Sequence, residues 1–267
     1  MILIEKDPVL PTVAKYVDRY QLFITKEPLF FKTIPNGKIE CYFVKQGQFS
    51  KWDSETESFT LSNSSGILPA TNEATFYHIP ANIICLNIKF KLHILSVSLC
   101  KGLLTNWKDF NPIQLISKID QENMLSYITE ENPIIPVDQL DSSIENSLRQ
   151  YAVDLKIDTL ITLIEGQITN PLRVVDLAHK MNMSQKSLER WVKKQFNLSP
   201  KELLQILRFE QVSHDLKNQP HSKLTDSIAY GYYDQSHFIK ECRRITGYAP
   251  KDFFARMKLP TNDIVFE

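Results

Sequence analysis

The residue types that do catalytic work are few in this 267-residue chain, and their spacing suits none of the common chemistries. A metal site inside a small β-barrel needs two histidines one residue apart plus a Glu, because imidazoles on one strand face must converge on one ion. His78 and His93 are 15 residues apart, and neither H-x-H nor H-E-x-x-H occurs. Cys41, Cys85, Cys100 and Cys242 show no C-x-x-C spacing, so they read as reduced thiols of a cytoplasmic protein. Glycine is scarce at 7 residues, and neither G-x-G-x-x-G nor G-x-x-x-x-G-K-S/T, the loops that cradle phosphate, is present. A G-x-S-x-G nucleophile elbow is missing as well. The expectation is a protein that is not an enzyme and that holds no metal or cofactor.

The charge distribution bears on where a polyanion would bind. The formal charge is zero, with 31 basic and 31 acidic side chains, but it is unevenly spread. Residues 1–150 carry 14 Lys/Arg against 17 Asp/Glu, a net of −3, and residues 151–267 carry 17 against 14, a net of +3. The sign directs any polyanion to the C-terminal half. Hydrophobic residues at 43% and charged residues at 23% are ordinary for a globular protein and exclude wholesale disorder. No apolar run reaches the ~18 residues of a membrane span, and the N-terminus lacks the basic start and cleavage site of a signal peptide. A soluble chain without a membrane partner is expected.

The elements that must position such recognition are of two kinds. Between about Leu29 and Ser98, short apolar runs alternate with turn residues such as Pro35-Asn36-Gly37 and Pro80-Ala81-Asn82. Ile84, Leu86, Ile88 and Phe90 share one face at a two-residue period. This predicts an antiparallel β-sandwich or barrel of six to eight short strands. From about Asn111 the period turns helical, through Leu115, Ile116, Ile119, Met124, Leu125 and Ile128. Glu130 to Pro136 breaks it, and a connecting helix is expected from about Gln139 to Ala152. The predicted organisation is α+β: a β-rich domain over 1–132, a linker and connecting helix over 133–153, and an all-α domain over 154–258.

Within the all-α part, a short helix, a tight turn and a helix opened by Ser or Asp occur twice, which is the helix-turn-helix pattern. In the first copy Ala178 allows close helix approach, Asn182 suits a left-handed turn, and Ser184 caps the next helix. In the second, Gly231 holds the turn and Asp234 caps. The second helices begin 51 residues apart, at 184 and 235. Between them a helix from about Pro200 to Lys217 would be roughly 27 Å long at ~1.5 Å per residue. Successive major grooves on one face of B-DNA recur every ~34 Å. A rod of that order holds two helices in adjacent grooves within one chain. Trp191 and Phe196 read as core.

Residues 172–254 resemble the DNA-binding domain of the AraC/XylS family of bacterial transcription regulators. The resemblance rests on Asp176-Leu177-Ala178, Met183 through Arg190, Leu207-Arg208, Gly231 through Phe238, and Thr246 through Phe253. Cys242 stands where the family usually has Phe, and Ile228-Ala229 sit closer to the turn glycine than is usual, so against the family pattern the helix before Gly231 is one residue short or shifted and Ser227 takes the small-residue role. The resemblance implies base contacts from Lys186, Ser187, Glu189 and Arg190 in one helix and from Gln235, Ser236, His237 and Lys240 in the other. It assigns phosphate contacts to Ser184, Lys193, Lys194, Arg243 and Arg244. Arg190 suits guanine, Glu189 cytosine and Gln235 adenine, whereas phosphate contacts set register without reading sequence.

Family members commonly pair this domain with a β-rich, often cupin-like N-terminal domain that dimerises or senses a small molecule. The partners implied are double-stranded promoter DNA, RNA polymerase, a small-molecule effector and a second copy of the chain. No effector contact is assigned. Two alternatives remain open at this point: a cupin-like metal enzyme, and a DNA-binding protein without an effector.

Overall fold

The computed structural model describes residues 1–53, 56–68, 70–71, 73–100, 116–167, 172–218, 223–257 and 264–266. The chain divides into two compact units. The first comprises Met1–Phe30, Lys38–Pro69 and Phe76–Asp158; the second comprises Phe31–Gly37, Ala70–Thr75 and Thr159–Glu267.

Nine strands among the described residues precede the helical region: β1 (Ile2–Lys6), β2 (Val17–Thr25), β3 (Leu29–Thr33), β4 (Ile39–Gln46), β5 (Ser50–Asp53), β6 (Ser58–Leu61), β7 (Ser65–Leu68), β8 (Thr75–Ile79) and β9 (Ile83–Phe90). The expected antiparallel sheets are present, and β3 to β9 fill the stretch where strands are predicted. β1 and β2 lie before it, outside the predicted stretch. One sheet has the order β1–β2–β9–β4–β7, the other β3–β8–β5–β6, where β10 (Ile264–Phe266) adds to β3 at residues 31–33.

The two-residue period of β9 puts Ile84, Leu86, Ile88 and Phe90 on one buried face. Register matches Leu22 to Leu86 and Cys41 to Ile88, so Tyr20, Leu22 and Ile24 of β2 and Ile39, Cys41 and Phe43 of β4 continue that apolar face. The opposite face is mixed, with the apolar row Leu3, Phe23, Cys85 and Val44 beside two polar rows. Glu5, Gln21 and Asn87 form one cross-strand row, and Arg19, Lys89 and Glu40 the next.

Among the described residues, three α-helices lie wholly within this unit: α1 (Pro11–Ala14), α2 (Lys118–Ser126) and α3 (Val137–Leu148). The helical run expected from Asn111 is described only from residue 116, so its beginning at 111–115, including Leu115, lies outside the described residues. The connecting helix starts two residues earlier than expected and ends at Leu148. Asp141 fixes α3 in place: it accepts the N–H groups of Val9 and Leu10 at 2.7 Å each and the Tyr20 hydroxyl at 2.6 Å. A buried carboxylate with three donors satisfies its hydrogen-bonding capacity without a counter-charge.

The remaining helices are α4 (Leu155–Glu165), α5 (Val174–Lys180), α6 (Gln185–Phe196), α7 (Pro200–Asn218), α8 (Gln235–Thr246) and α9 (Pro250–Arg256). The short helix expected before Gly231 spans Leu224–Tyr230 as a 3-10 turn, and Ser227 within it is fully buried, as its small size predicts. The core of the second unit gathers Phe209, Val212, Tyr232, Phe238, Cys242, Ile245, Phe253 and Met257 together with Ile34. Phe209 stacks on Phe238 at 6.0 Å and tilts against Phe253 at 5.8 Å. Among the described residues no helix is long and apolar enough to cross a membrane.

Candidate nucleic-acid interface

The first helix-turn-helix is α5, a turn, and α6. Asp176 holds the start of α5, accepting from the Arg173 backbone N–H at 3.3 Å and from its guanidinium at 2.9 Å. Leu177 and Ala178 are buried, which lets the two helices cross closely. Asn182 adopts the left-handed conformation at φ 51°, and Met183 N–H donates to the Ala178 carbonyl at 2.9 Å. Ser184 then caps α6, its hydroxyl accepting from Ser187 N–H at 3.2 Å.

Along α6 the spacing i, i+4, i+8 buries Leu188, Val192 and Phe196. That rotation turns Lys186, Glu189, Arg190, Lys193 and Lys194 to solvent. Ser187 is half-buried, and the Ser184 hydroxyl donates to it at 2.8 Å, so a base contact from Ser187 requires exchange of that bond. Gln185 donates to Glu189 at 2.9 Å, orienting its carboxylate. Lys193 donates to the Asn197 carbonyl at 2.9 Å, the helix C-terminus, where cations are favoured. Phe196 is core as expected, and Trp191 is half-buried.

The second helix-turn-helix repeats the outline. Ser227 donates to the Leu224 carbonyl at 2.7 Å, Gly231 takes φ 80°, and the Asp234 carboxylate accepts from His237 N–H at 2.7 Å. A β-carbon at Gly231 would be strained because L-residues with side chains rarely adopt that φ. On α8, Phe238, Glu241, Cys242, Ile245 and Thr246 face inward, while Gln235, Ser236, His237, Lys240, Arg243 and Arg244 are exposed. His237 Nδ1 accepts from Tyr233 N–H at 3.3 Å, which fixes the ring against the turn.

Two features of this second copy lie beyond the sequence reading. Glu241 is 5% exposed and accepts from Arg208 at 2.9 and 3.0 Å, from the Tyr232 hydroxyl at 2.6 Å and from Gln205 at 3.3 Å. The Arg208 guanidinium also lies 4.3 Å from the Tyr232 ring centre. This network joins α7 to α8 and so sets how α8 is presented. Burial first, then the Glu241 charge, pushes the Tyr232 hydroxyl well above the usual tyrosine range. The available signal is a Glu in the apolar stripe Phe238-Glu241-Cys242-Ile245. The other feature is Tyr233, an aromatic 88% exposed between the turn glycine and the cap.

α7 packs against α6, against α8 and against the 3-10 turn. Its 19 residues give roughly 28 Å at ~1.5 Å per residue. Asp215 on α7 accepts the Tyr230 hydroxyl, tying the rod to the second turn.

Residues 177–256 match the family described as a helix-turn-helix domain. Among relatives, the Msm operon regulatory protein of Streptococcus mutans is 28% identical over 130 residues, 49% of this chain and 44% of that protein. The HTH-type transcriptional activator RhaS of Citrobacter koseri is 31% identical over 101 residues, 37% of this chain and 36% of its own length. The chain thus spans less than half the length of these relatives. Among solved structures, ToxT of Vibrio cholerae with a bound unsaturated fatty acid is similar over 90% of this chain and 95% of its own, with a TM-score of 0.54 at 12% identity. An apo variant of ToxT from the same organism is similar over 94% of this chain and 99% of its own, with a TM-score of 0.52 at 14% identity. These two likenesses are of fold.

Proposed function

We propose that this chain, whose C-terminal region is an AraC-type helix-turn-helix domain, is a transcription regulator that reads two adjacent major-groove segments of promoter DNA with α6 and α8. The observation carrying this reading is the repeated presentation of a capped helix after a left-handed turn, each with its polar face exposed and each packed on α7. Lys186, Ser187, Glu189 and Arg190 would meet base edges in one segment, and Gln235, Ser236, His237 and Lys240 in the other. Ser184, Lys193, Lys194, Arg243 and Arg244 would meet phosphates and set register. RNA polymerase is the further partner, recruited or blocked according to promoter position.

The N-terminal unit would dimerise and sense a small molecule. ToxT is a fold neighbour with a fatty acid bound; in this chain the two polar rows of the sheet, Glu5–Gln21–Asn87 and Arg19–Lys89–Glu40, support a more polar effector. Gln21 and Lys89 are buried there, and Asn87 Oδ1 is buried with no hydrogen-bond partner among the described residues. A buried acceptor without a donor is costly, and a bound hydroxyl or ammonium would satisfy it.

A binding titration against single-base variants of a selected site, at two salt concentrations, tests the reading. Arg190→Ala is expected to lose roughly 1–3 kcal/mol at one base position. Lys193→Ala is expected to weaken all sequences alike and to flatten the salt dependence. Equal losses on every sequence for Arg190→Ala would refute its assignment to a base.

A further inference from the structure

The β3–β8–β5–β6 sheet carries aromatic side chains on one face that remain open to solvent. Phe30 stacks on His78 with centroids 4.3 Å apart, and Phe59 meets Trp52 at 5.2 Å, His78 at 6.0 Å and Phe30 at 6.3 Å. Phe30, Phe59, Phe76 and Leu61 are 50, 40, 38 and 64% exposed. At 150–250 Å² for an aromatic side chain, they present on the order of 350 Å² of apolar surface, in the range where such patches on monomers are usually functional. A stable dimer buries about 800 Å² per copy with somewhat over half apolar, so this patch supplies most of an apolar interface centre.

The patch ends on an open strand edge. Among the described residues β6 pairs only with β5. All four residues of β6, Ser58, Phe59, Thr60 and Leu61, are exposed and none is charged, whereas natural edge strands usually carry charge, proline or a bulge to prevent pairing. Ser62 N–H donates to the Phe49 carbonyl, so by antiparallel alternation the backbone groups of Phe59 and Leu61 point away from β5, toward the open edge. We propose that β6 is a self-association edge, pairing antiparallel with β6 of a second copy about a two-fold axis at Thr60. Phe59 then lies opposite Leu61 of the second copy, each exchanging both backbone hydrogen bonds, and the aromatic faces form a continuous sheet surface. Antiparallel pairing of a strand with itself is two-fold symmetric, so the interface closes at two copies. Uncharged strands meet without repulsion. The proposal rests on the reading of the N-terminal unit as the dimerising half, and its test contains no DNA, so its outcome is separable from failure of DNA recognition.

Sedimentation equilibrium of the full chain across the micromolar range provides the test, together with F59K/L61K and with Val9→Lys as a control at a 68% exposed apolar residue elsewhere in the first unit. Twice the chain mass is expected for the parent and for V9K, and the single mass for F59K/L61K with an unchanged circular dichroism spectrum. Thr60→Cys supplies a second readout that does not depend on the lysine variant folding. Across the axis the two copies of residue 60 form a non-hydrogen-bonded pair with Cα atoms about 4.5 Å apart, inside the range a disulfide needs. The four native cysteines are buried, so T60C is expected to give a disulfide-linked dimer on mild oxidation while the parent does not. A parent monomeric throughout, a dimer that survives F59K/L61K, or T60C that fails to cross-link would each overturn the proposal.

Discussion

The first helix-turn-helix has an apolar core: Leu177, Ala178, Leu188 and Val192 are buried, and among the described residues none of its charged side chains is. The second is organised around a buried carboxylate, Glu241, held by Arg208, Tyr232 and Gln205. The first turn is made by Asn182 and the second by Gly231; the first opens on an α-helix and the second on a 3-10 turn closed around Ser227. One outline therefore tolerates two kinds of core. An apolar contact can slide without a large penalty. A carboxylate with directional partners fixes one angle between α7 and α8, since a buried charge that loses its partner is expensive.

The largest test of this contrast is removal of the charge. Glu241→Ala is expected to destabilise the second helix-turn-helix by about 3–5 kcal/mol, because the largely buried Arg208, with 14% of its side chain exposed, loses its carboxylate partner. R208L/E241L, which removes both partners, should recover most of that stability while leaving α8 less firmly oriented. Chemical denaturation measures both; equal stability of the single and double variants would remove the organising role of the pair. In the first helix-turn-helix, Leu188→Ala is expected to cost about 2–5 kcal/mol by the cavity it leaves, with no comparable rescue from a second polar change. Smaller effects come from the caps. Ser184→Ala and Asp234→Ala should each cost roughly 0.5–2 kcal/mol, read as loss of helicity and of DNA affinity confined to one half of the site.

Acid provides the smallest and most local probe. Burial raises the Asp215 carboxyl, but hydrogen bonds from Gln211, Tyr230 and His214 outweigh it and leave it below the ordinary 3.8. A carboxyl lowered in the folded state stabilises above its unfolded value, and that contribution disappears as pH falls through the folded value. The attachment of α7 to the second turn is therefore expected to loosen below about pH 4. Asp215→Asn should remove this acid sensitivity; amide exchange of residues 224–230 against pH reads it. An unchanged profile in D215N would show that the carboxyl is not the responsible group.

Local devices were legible in the sequence because they act within a few residues. Asn182, Ser184, Pro200, Gly231, Asp234 and Gly247 each do in the structure what their backbone preferences predict. Ser227 was legible only through the resemblance, as the small side chain that the shifted spacing before Gly231 leaves for the close approach. Long-range pairings were not. Glu241 looks like an exposed charge until Arg208, 33 residues away, is brought to it. Ile34 sits in a strand-and-turn stretch, yet its burial is with Phe209 and Phe238 in the second unit. β2 hides its alternation of Tyr20, Leu22 and Ile24 behind Asp18, Arg19 and Gln21, whose polarity suggests a loop although Gln21 is buried. The expected base and phosphate contacts are exposed except for half-buried Ser187, which exposure alone does not turn into DNA contacts.

The most direct measurement of two-groove reading is hydroxyl-radical footprinting on a site selected from random duplexes. Two protected patches are expected on one face of the DNA, about one helical turn of ~10 base pairs apart, with Arg190→Ala weakening one patch and Gln235→Ala the other. Protection confined to a single turn, or both patches weakened equally by either substitution, would contradict it.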